Sequence, residues 1–176
     1  KNRVAERRIW AFAPEIFDAC KKAFRLRKEL LPYIYTAARV AYDTGVSMCR
    51  PLYYEWPEAG EAYARKDEYM LGDDLLVAPI AQARSAVSGV AETSIWLPKG
   101  QWTHWFTGRT YSGPATITIQ TPLDEIPIFA REGAIIPTQE SGGDRIASVA
   151  PAELRLDIFP GDGSARAYFD DGEGRG

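Results

Sequence analysis

The chain has 176 residues, a formal net charge of −3 and 45% hydrophobic content, enough to close one or two globular domains without disulfide staples. Mild acidity excludes a phosphate-binding face built on clustered Lys and Arg, and the basic run over residues 3–8 is too short to reverse that, so no nucleic-acid partner is expected. No stretch approaches the roughly twenty apolar residues of a membrane span, so no membrane partner is expected either.

The first third is helical in character. Pro14-Glu15 predicts a helix start, since Pro suits the first helical position and an acidic side chain there complements the helix dipole. Ile16, Cys20 and Phe24 follow at i, i+4 and i+8, with Lys21, Lys22 and Arg25 on other faces. Pro32 lacks the N–H that bonds four residues back, which predicts a kink or restart between Lys28 and Pro32. Ile34, Ala37, Ala38 and Ala41 carry the pattern on to Gly45, the expected C-terminal cap.

The period then changes. Cys49 to Trp56 reads as an extended crossing that ends at Pro57, and Leu75-Leu76-Val77-Ala78 reads as a short buried strand. Residues 94–97, 102–106, 115–121 and 126–130 are short and β-prone. Pro98-Lys99-Gly100, Thr107-Gly108, Ser112-Gly113-Pro114 and Pro122 separate them as turn signals. Ile117 and Ile119 alternate with Thr116, Thr118 and Gln120, as a half-buried strand should. Many short strands at close spacing imply an antiparallel sandwich. Glu140-Ser141-Gly142-Gly143-Asp144 reads as a linker. Beyond it, Leu154, Leu156 and Ile158 alternate and turn at Gly161-Asp162-Gly163 into Ala167-Tyr168-Phe169, the first hairpin of another β unit. The chain opens without an initiator Met and closes on Gly174-Arg175-Gly176, and both ends read as cuts.

The acidic pairs Asp73-Asp74, Asp124-Glu125 and Asp170-Asp171 are sequence neighbours, which point to opposite faces of a strand. A glycosidase needs two carboxyl groups facing each other across a sugar, so these pairs read as turn and strand caps. Their spacing is not that of an EF-hand, and no metal or other cofactor is expected. His104 is the single histidine and no nucleophile elbow accompanies it, so it reads as a structural sheet residue. Cys20 and Cys49 read as small core residues. Trp96, Trp102, Trp105, Phe106 and Tyr111 have two readings: a platform for sugar rings, or core filling, which is favoured because such rings dominate the cores of small sandwiches.

Order and wording add a resemblance. Arg25-Leu26-Arg27-Lys28-Glu29-Leu30-Leu31-Pro32-Tyr33-Ile34-Tyr35 is similar to the last barrel helix of glycoside hydrolase family 31, and Arg50-Pro51-Leu52-Tyr53-Tyr54-Glu55-Trp56-Pro57 to the bridge out of that barrel. Tyr69-Met70-Leu71-Gly72-Asp73-Asp74-Leu75-Leu76-Val77-Ala78-Pro79 resembles another segment of the family. So do Trp96-Leu97-Pro98-Lys99-Gly100-Gln101-Trp102, residues 127–137 and Tyr168-Phe169-Asp170-Asp171-Gly172, all in the family's order.

The resemblance implies a mixed fold: the terminal helical part of a (β/α)8 barrel over residues 1–48, an antiparallel β-sandwich over 49–140, and a linker with the first hairpin of a second β domain over 141–176. It implies a retaining α-glycosidase, acting on an oligosaccharide or small glycoside, whose two catalytic aspartates lie upstream of Lys1, so that none is assigned here. The rest of the parent enzyme is then the expected partner. Where many members have Arg-Glu-Pro-Trp, this chain has Arg7-Arg8-Ile9-Trp10, which leaves α-glucosides, α-xylosides and transglycosylation open. Loops at that barrel face build the active site, so Glu6, Arg7, Arg8 and Trp10 are the expected substrate-binding residues at its rim. The competing reading of these residues, favoured because binding sites use only a few polar groups, is that the arginines pair with barrel carboxylates and Trp10 packs under the last helix. The alternative is a free-standing carbohydrate-binding or structural β module, against which the apolar stripe of Ile16, Cys20 and Phe24 argues.

Overall fold

The computed structural model describes residues 8–140 and 153–170. Two helices open it: α1 (Pro14–Glu29) and α2 (Leu31–Thr44), broken at Leu30. The break follows from Pro32, which sits in the first turn of α2 and leaves carbonyls at the end of α1 without their usual donors. Gln139 supplies them: its amide N–H donates to the Glu29 carbonyl at 2.9 Å and its Nε2 to the Lys28 carbonyl at 3.2 Å. Gly45 closes α2 in the left-handed region at φ 74°, with its N–H on the Ala41 carbonyl, as its position predicts.

Eight strands follow: β1 (Cys49–Pro51), β2 (Tyr69–Leu71), β3 (Leu75–Val77), β4 (Ala91–His104), β5 (Thr110–Thr121), β6 (Ile128–Arg131), β7 (Ile135–Thr138) and β8 (Arg155–Ile158). The first six form one antiparallel sheet in the order β1-β2-β3-β6-β4-β5, and β7 pairs with β8. A 3-10 turn (Leu52–Tyr54) and a short helix α3 (Gly60–Ala64) connect β1 to β2. The mostly antiparallel architecture agrees in outline with the sequence reading.

Strand alternation on β3 and β6 divides their side chains between two core clusters. Leu76 and Phe129 join Leu52, Met70, Ile95, Trp96, Leu97 and Trp102 on one side of that division. Leu75, Val77, Ile128 and Ala130 join Leu30, Tyr33, Ala134 and Ile136 on the other, under the junction of α1 and α2. β3 is buried on both faces, which is why its sequence is continuously apolar. Trp96 and Trp102 are core residues, 5% and 1% exposed, and the Trp102 indole N–H donates to the Pro98 carbonyl at 2.8 Å. The core reading of these two rings holds.

Several expectations are corrected. Pro98-Lys99-Gly100 is not a turn between strands; it is a bulge inside the long strand β4, opposite Gly113 of β5. Ser112-Gly113-Pro114 likewise lies within β5. The two irregularities face each other, and a Cβ at Gly113 would meet the Pro98 carbonyl oxygen at 1.8 Å, so only glycine permits that approach. The extended crossing from Cys49 shortens to β1, because Leu52–Tyr54 turn as a 3-10 segment. Cys49 is exposed and Cys20 half-buried, rather than core residues. In β1 it is Arg50 that points inward, held by carboxylates, and alternation turns Cys49 out. The strand over 155–158 does not form a hairpin with residues 167–169; it pairs with β7 in the register Ile135↔Ile158 to Thr138↔Arg155. The buried Thr138 side chain rewards that pairing by donating to the Asp157 carboxylate at 2.9 Å. The linker expected from residue 140 lies, beyond Glu140, outside the described residues. Among the described residues no helix is long and apolar enough to cross a membrane.

Candidate functional site

Of the four expected rim residues, Glu6 and Arg7 lie outside the described residues. Arg8 precedes a 3-10 turn (Ile9–Ala11), its carbonyl accepting from the Ala11 N–H at 2.9 Å, and Trp10 within that turn is 70% exposed. Both therefore sit at the entrance to α1, and Trp10 presents most of its surface outward.

Several carboxylates are committed to structural partners. Glu55, just past the 3-10 turn Leu52–Tyr54, bridges two cations: Oε1 accepts from Arg50 at 2.6 Å and Oε2 from Arg131. Arg50 also donates to Asp73 at 2.8 Å and to the Gly72 carbonyl at 3.0 Å, so one buried guanidinium ties β1 to the turn between β2 and β3. The Arg131 guanidinium lies over the Trp56 and Trp102 rings at 5.5 and 5.6 Å, where their π faces favour a cation. Asp124 and Glu125 hold Lys22 of α1 at 2.8 and 3.6 Å. The Lys22 ammonium holds the Asp124 carboxyl below the usual range. Glu68 is buried beside β4, and burial pushes its carboxyl up to about 7. None of these is a pair of carboxyl groups facing a sugar-sized space.

Asp73 and Asp74 form the turn from β2 to β3 as expected. The Asp74 N–H donates to the Tyr33 hydroxyl at 3.0 Å, and that hydroxyl donates to the Leu71 carbonyl at 2.8 Å. Burial raises the Tyr33 hydroxyl well above the usual phenol range, so it stays protonated and rivets α2 to the sheet. Next to this rivet lies a cavity of about 390 Å³ between α2, β7 and residues 164–166, with Arg50, Asp73 and Arg166 in its wall. His104 packs on Phe129 at 5.1 Å with Nδ1 3.0 Å from the Thr107 hydroxyl, and burial lowers its pKa. A neutral ring inside a sheet is structural.

Sequence reasoning overlooked the aromatics that are exposed. Tyr53, Tyr54 and Tyr63 are 38%, 60% and 53% exposed and cluster on the turn Leu52–Tyr54 and α3. Tyr53 stacks on Tyr63 with centroids 5.1 Å apart and planes at 8°, and Tyr54 lies 5.4 Å from Tyr53, tilted by 57°. Nothing local marks them, because Leu52-Tyr53-Tyr54-Glu55-Trp56 reads as an extended run and Tyr63 joins only through the fold. The burial of Leu52 and Ala62 turns the three rings outward.

Comparison with known proteins places this arrangement. The Glycosyl hydrolase family 31 C-terminal domain matches residues 45–136. A 1,6-alpha-glucosyltransferase of Sporosarcina globispora is 32% identical over 174 residues, 97% of this chain and 13% of that protein. Neutral alpha-glucosidase C of Mus musculus is 33% identical over 172 residues, 94% of this chain and 18% of that protein. The family 31 dextranase of Flavobacterium johnsoniae, solved with glucose, superposes with a TM-score of 0.76 at 34% identity over 88% of this chain and 18% of its own. The chain thus spans less than a fifth of each of these relatives. With its sheet, its ion-paired turns and this match over more than half its length, the chain belongs to glycosyl hydrolase family 31, where it corresponds to the C-terminal domain.

Proposed function

We propose that the chain is the C-terminal part of a retaining α-glycosidase that releases terminal sugars from α-glucosides, and that its catalytic aspartates lie upstream of Lys1. In this reading residues 1–48 end the catalytic barrel, 49–140 are the proximal β-sandwich, and 141–176 begin a distal β domain. The observation that carries it is α1: the helix ahead of the matched domain is amphipathic, yet none of its residues is buried. Ile16 and Phe24 stand 37% and 59% exposed, an apolar stripe that needs a partner body on its outer side. A free-standing module would leave it bare. The relatives' names, a glucosyltransferase and an α-glucosidase, favour glucosides and keep transglycosylation within reach. Glu6, Arg7, Arg8 and Trp10 are then rim residues of the substrate pocket, binding sugar hydroxyls or closing its wall.

The test is the parent protein beside the isolated chain. The parent should hydrolyse nitrophenyl α-glucoside with NMR showing the α anomer released first, and the 176-residue chain should show no activity. Hydrolysis by the isolated chain, or an inverted first product from the parent, sinks the reading. Arg7→Ala in the parent should lower kcat/KM with an unchanged melting curve; intact kinetics with lost stability would make the rim residue structural.

A further inference from the structure

The three exposed tyrosines have no role in the reading above. Leu52 and Ala62 are 0% and 2% exposed and plug the core, and Trp56 sets its edge against Trp96 and Trp102 at 6.4 and 6.2 Å. These anchors fix the turn Leu52–Tyr54 and α3 from beneath, so the tyrosine rings stand on a rigid base. Surface rings gathered into one patch, each more than a third exposed, differ from the single scattered hydrophobic residues that any surface carries. Tyrosine supplies contact area at low entropic cost, with a hydroxyl that stays wet at the rim.

The patch's chemistry selects its ligand. Glu58, Glu61 and Lys66 are exposed on the same segment, so charges of both signs surround the patch and no single-sign field recruits phosphate or any polyanion. What suits electron-rich ring faces in a mixed field is a neutral molecule with polarised C–H groups on one face and hydroxyl donors at its edge. A pyranose fits that description. Two ring planes at 57° offer faces to successive sugars of a curved or flexible chain rather than to one flat ring. We propose that Tyr53, Tyr54 and Tyr63 form an accessory surface on which an α-glucan chain stacks; this rests on the α-glucoside reading of the parent.

The experiment compares the parent protein with its Tyr54→Ala/Tyr63→Ala and Tyr54→Phe/Tyr63→Phe variants by electrophoresis through native gels containing dextran or soluble starch. Stacking predicts retardation of the parent in at least one polymer. The Ala pair should weaken it by about two- to tenfold for each ring removed, while the Phe pair keeps it. All three should cleave nitrophenyl α-glucoside equally, since that substrate is too small to reach the patch. Tyr54→Ala alone, at a 60% exposed position, serves should the double variant melt early. Equal retardation of parent and Ala variants overturns the inference, as does protection of Tyr54 and Tyr63 from tetranitromethane in the native parent, which would mean that another part of the polypeptide covers them. A parent that binds glucan through these rings but cleaves no α-glycoside would overturn the proposed function and leave this surface standing.

Discussion

Glu68 shows how a single charged side chain closes an edge of the sheet. β4 pairs with β5 along most of its length but with β6 only over residues 102–104, so its earlier amides face away from a neighbouring strand. Both Glu68 oxygens accept from the Trp96 N–H, at 3.1 and 3.3 Å, and Arg65 donates to the Ser94 carbonyl at 3.0 Å. An unpaired edge is a template for aggregation, and these two side chains occupy it. The cost appears in the carboxyl itself: burial raises its pKa from 4.5 to about 7, against the opposing Trp96 N–H and the Arg65 charge 3.8 Å away. Because the folded pKa lies above the unfolded one, the native state holds the proton more tightly. Stability is then highest below the unfolded value and falls as pH rises from about 4.5 to about 7. The unfolding free energy from denaturant titrations should drop between about pH 4.5 and 7, by on the order of 3 kcal/mol. Glu68→Gln keeps an acceptor for Trp96 and should flatten that slope. A variant with the wild-type slope would assign it to another group.

At the scale of elements, the legible parts were those set by local chemistry. Pro14, Pro32 and Gly45 mark the start, break and end of the helices because each acts through its own backbone. Ile117 and Ile119 are half-buried between exposed neighbours, as their alternation implies. What stayed hidden depends on distant partners. Pro98-Lys99-Gly100 has the composition of a turn, and only its encounter with Gly113 converts it to a bulge. The pairing of β8 with β7 depends on Thr138 meeting Asp157, 19 residues away, across residues with no pattern of their own. At the candidate site the same holds for Tyr63 against Tyr53, and for Glu55 between Arg50 and Arg131. The bulge gives a direct test. Gly113→Ala drives a methyl into the Pro98 carbonyl and should cost more than about 2 kcal/mol in chemical denaturation. Gly108→Ala, at φ 67° with nothing within 4 Å, should cost only about 1–2 kcal/mol from backbone strain. Equal losses would mean that the two strands separate at the bulge.

For the whole molecule the outward faces matter more than the core. α1 buries no residue, and beyond it Val40 and Tyr42 on α2 and Leu156 and Ile158 on β8 are 45%, 74%, 50% and 69% exposed. Leu26 of α1 packs partly buried against the core, and the helix's ties to the sheet side are otherwise charged: Lys22 on Asp124 and Glu15 on Arg84. These exposed pairs orient the helix on the sheet and contribute little energy, whereas the apolar stripe could contribute much if covered. Phe24 separates the two cases. At 59% exposed, its replacement in Phe24→Ser should leave the isolated chain within about 0.5 kcal/mol of its starting stability. In the parent, a ring buried against the barrel should make the same substitution cost about 1.5–3 kcal/mol. Val87→Ser, at a loop position 99% exposed, is the control and should be silent in both. Thermal or denaturant melts of the four variants decide the matter. A Phe24→Ser effect in the parent no larger than that of Val87→Ser would mean that α1 faces solvent there too, and that residues 1–48 do not pack into a catalytic barrel.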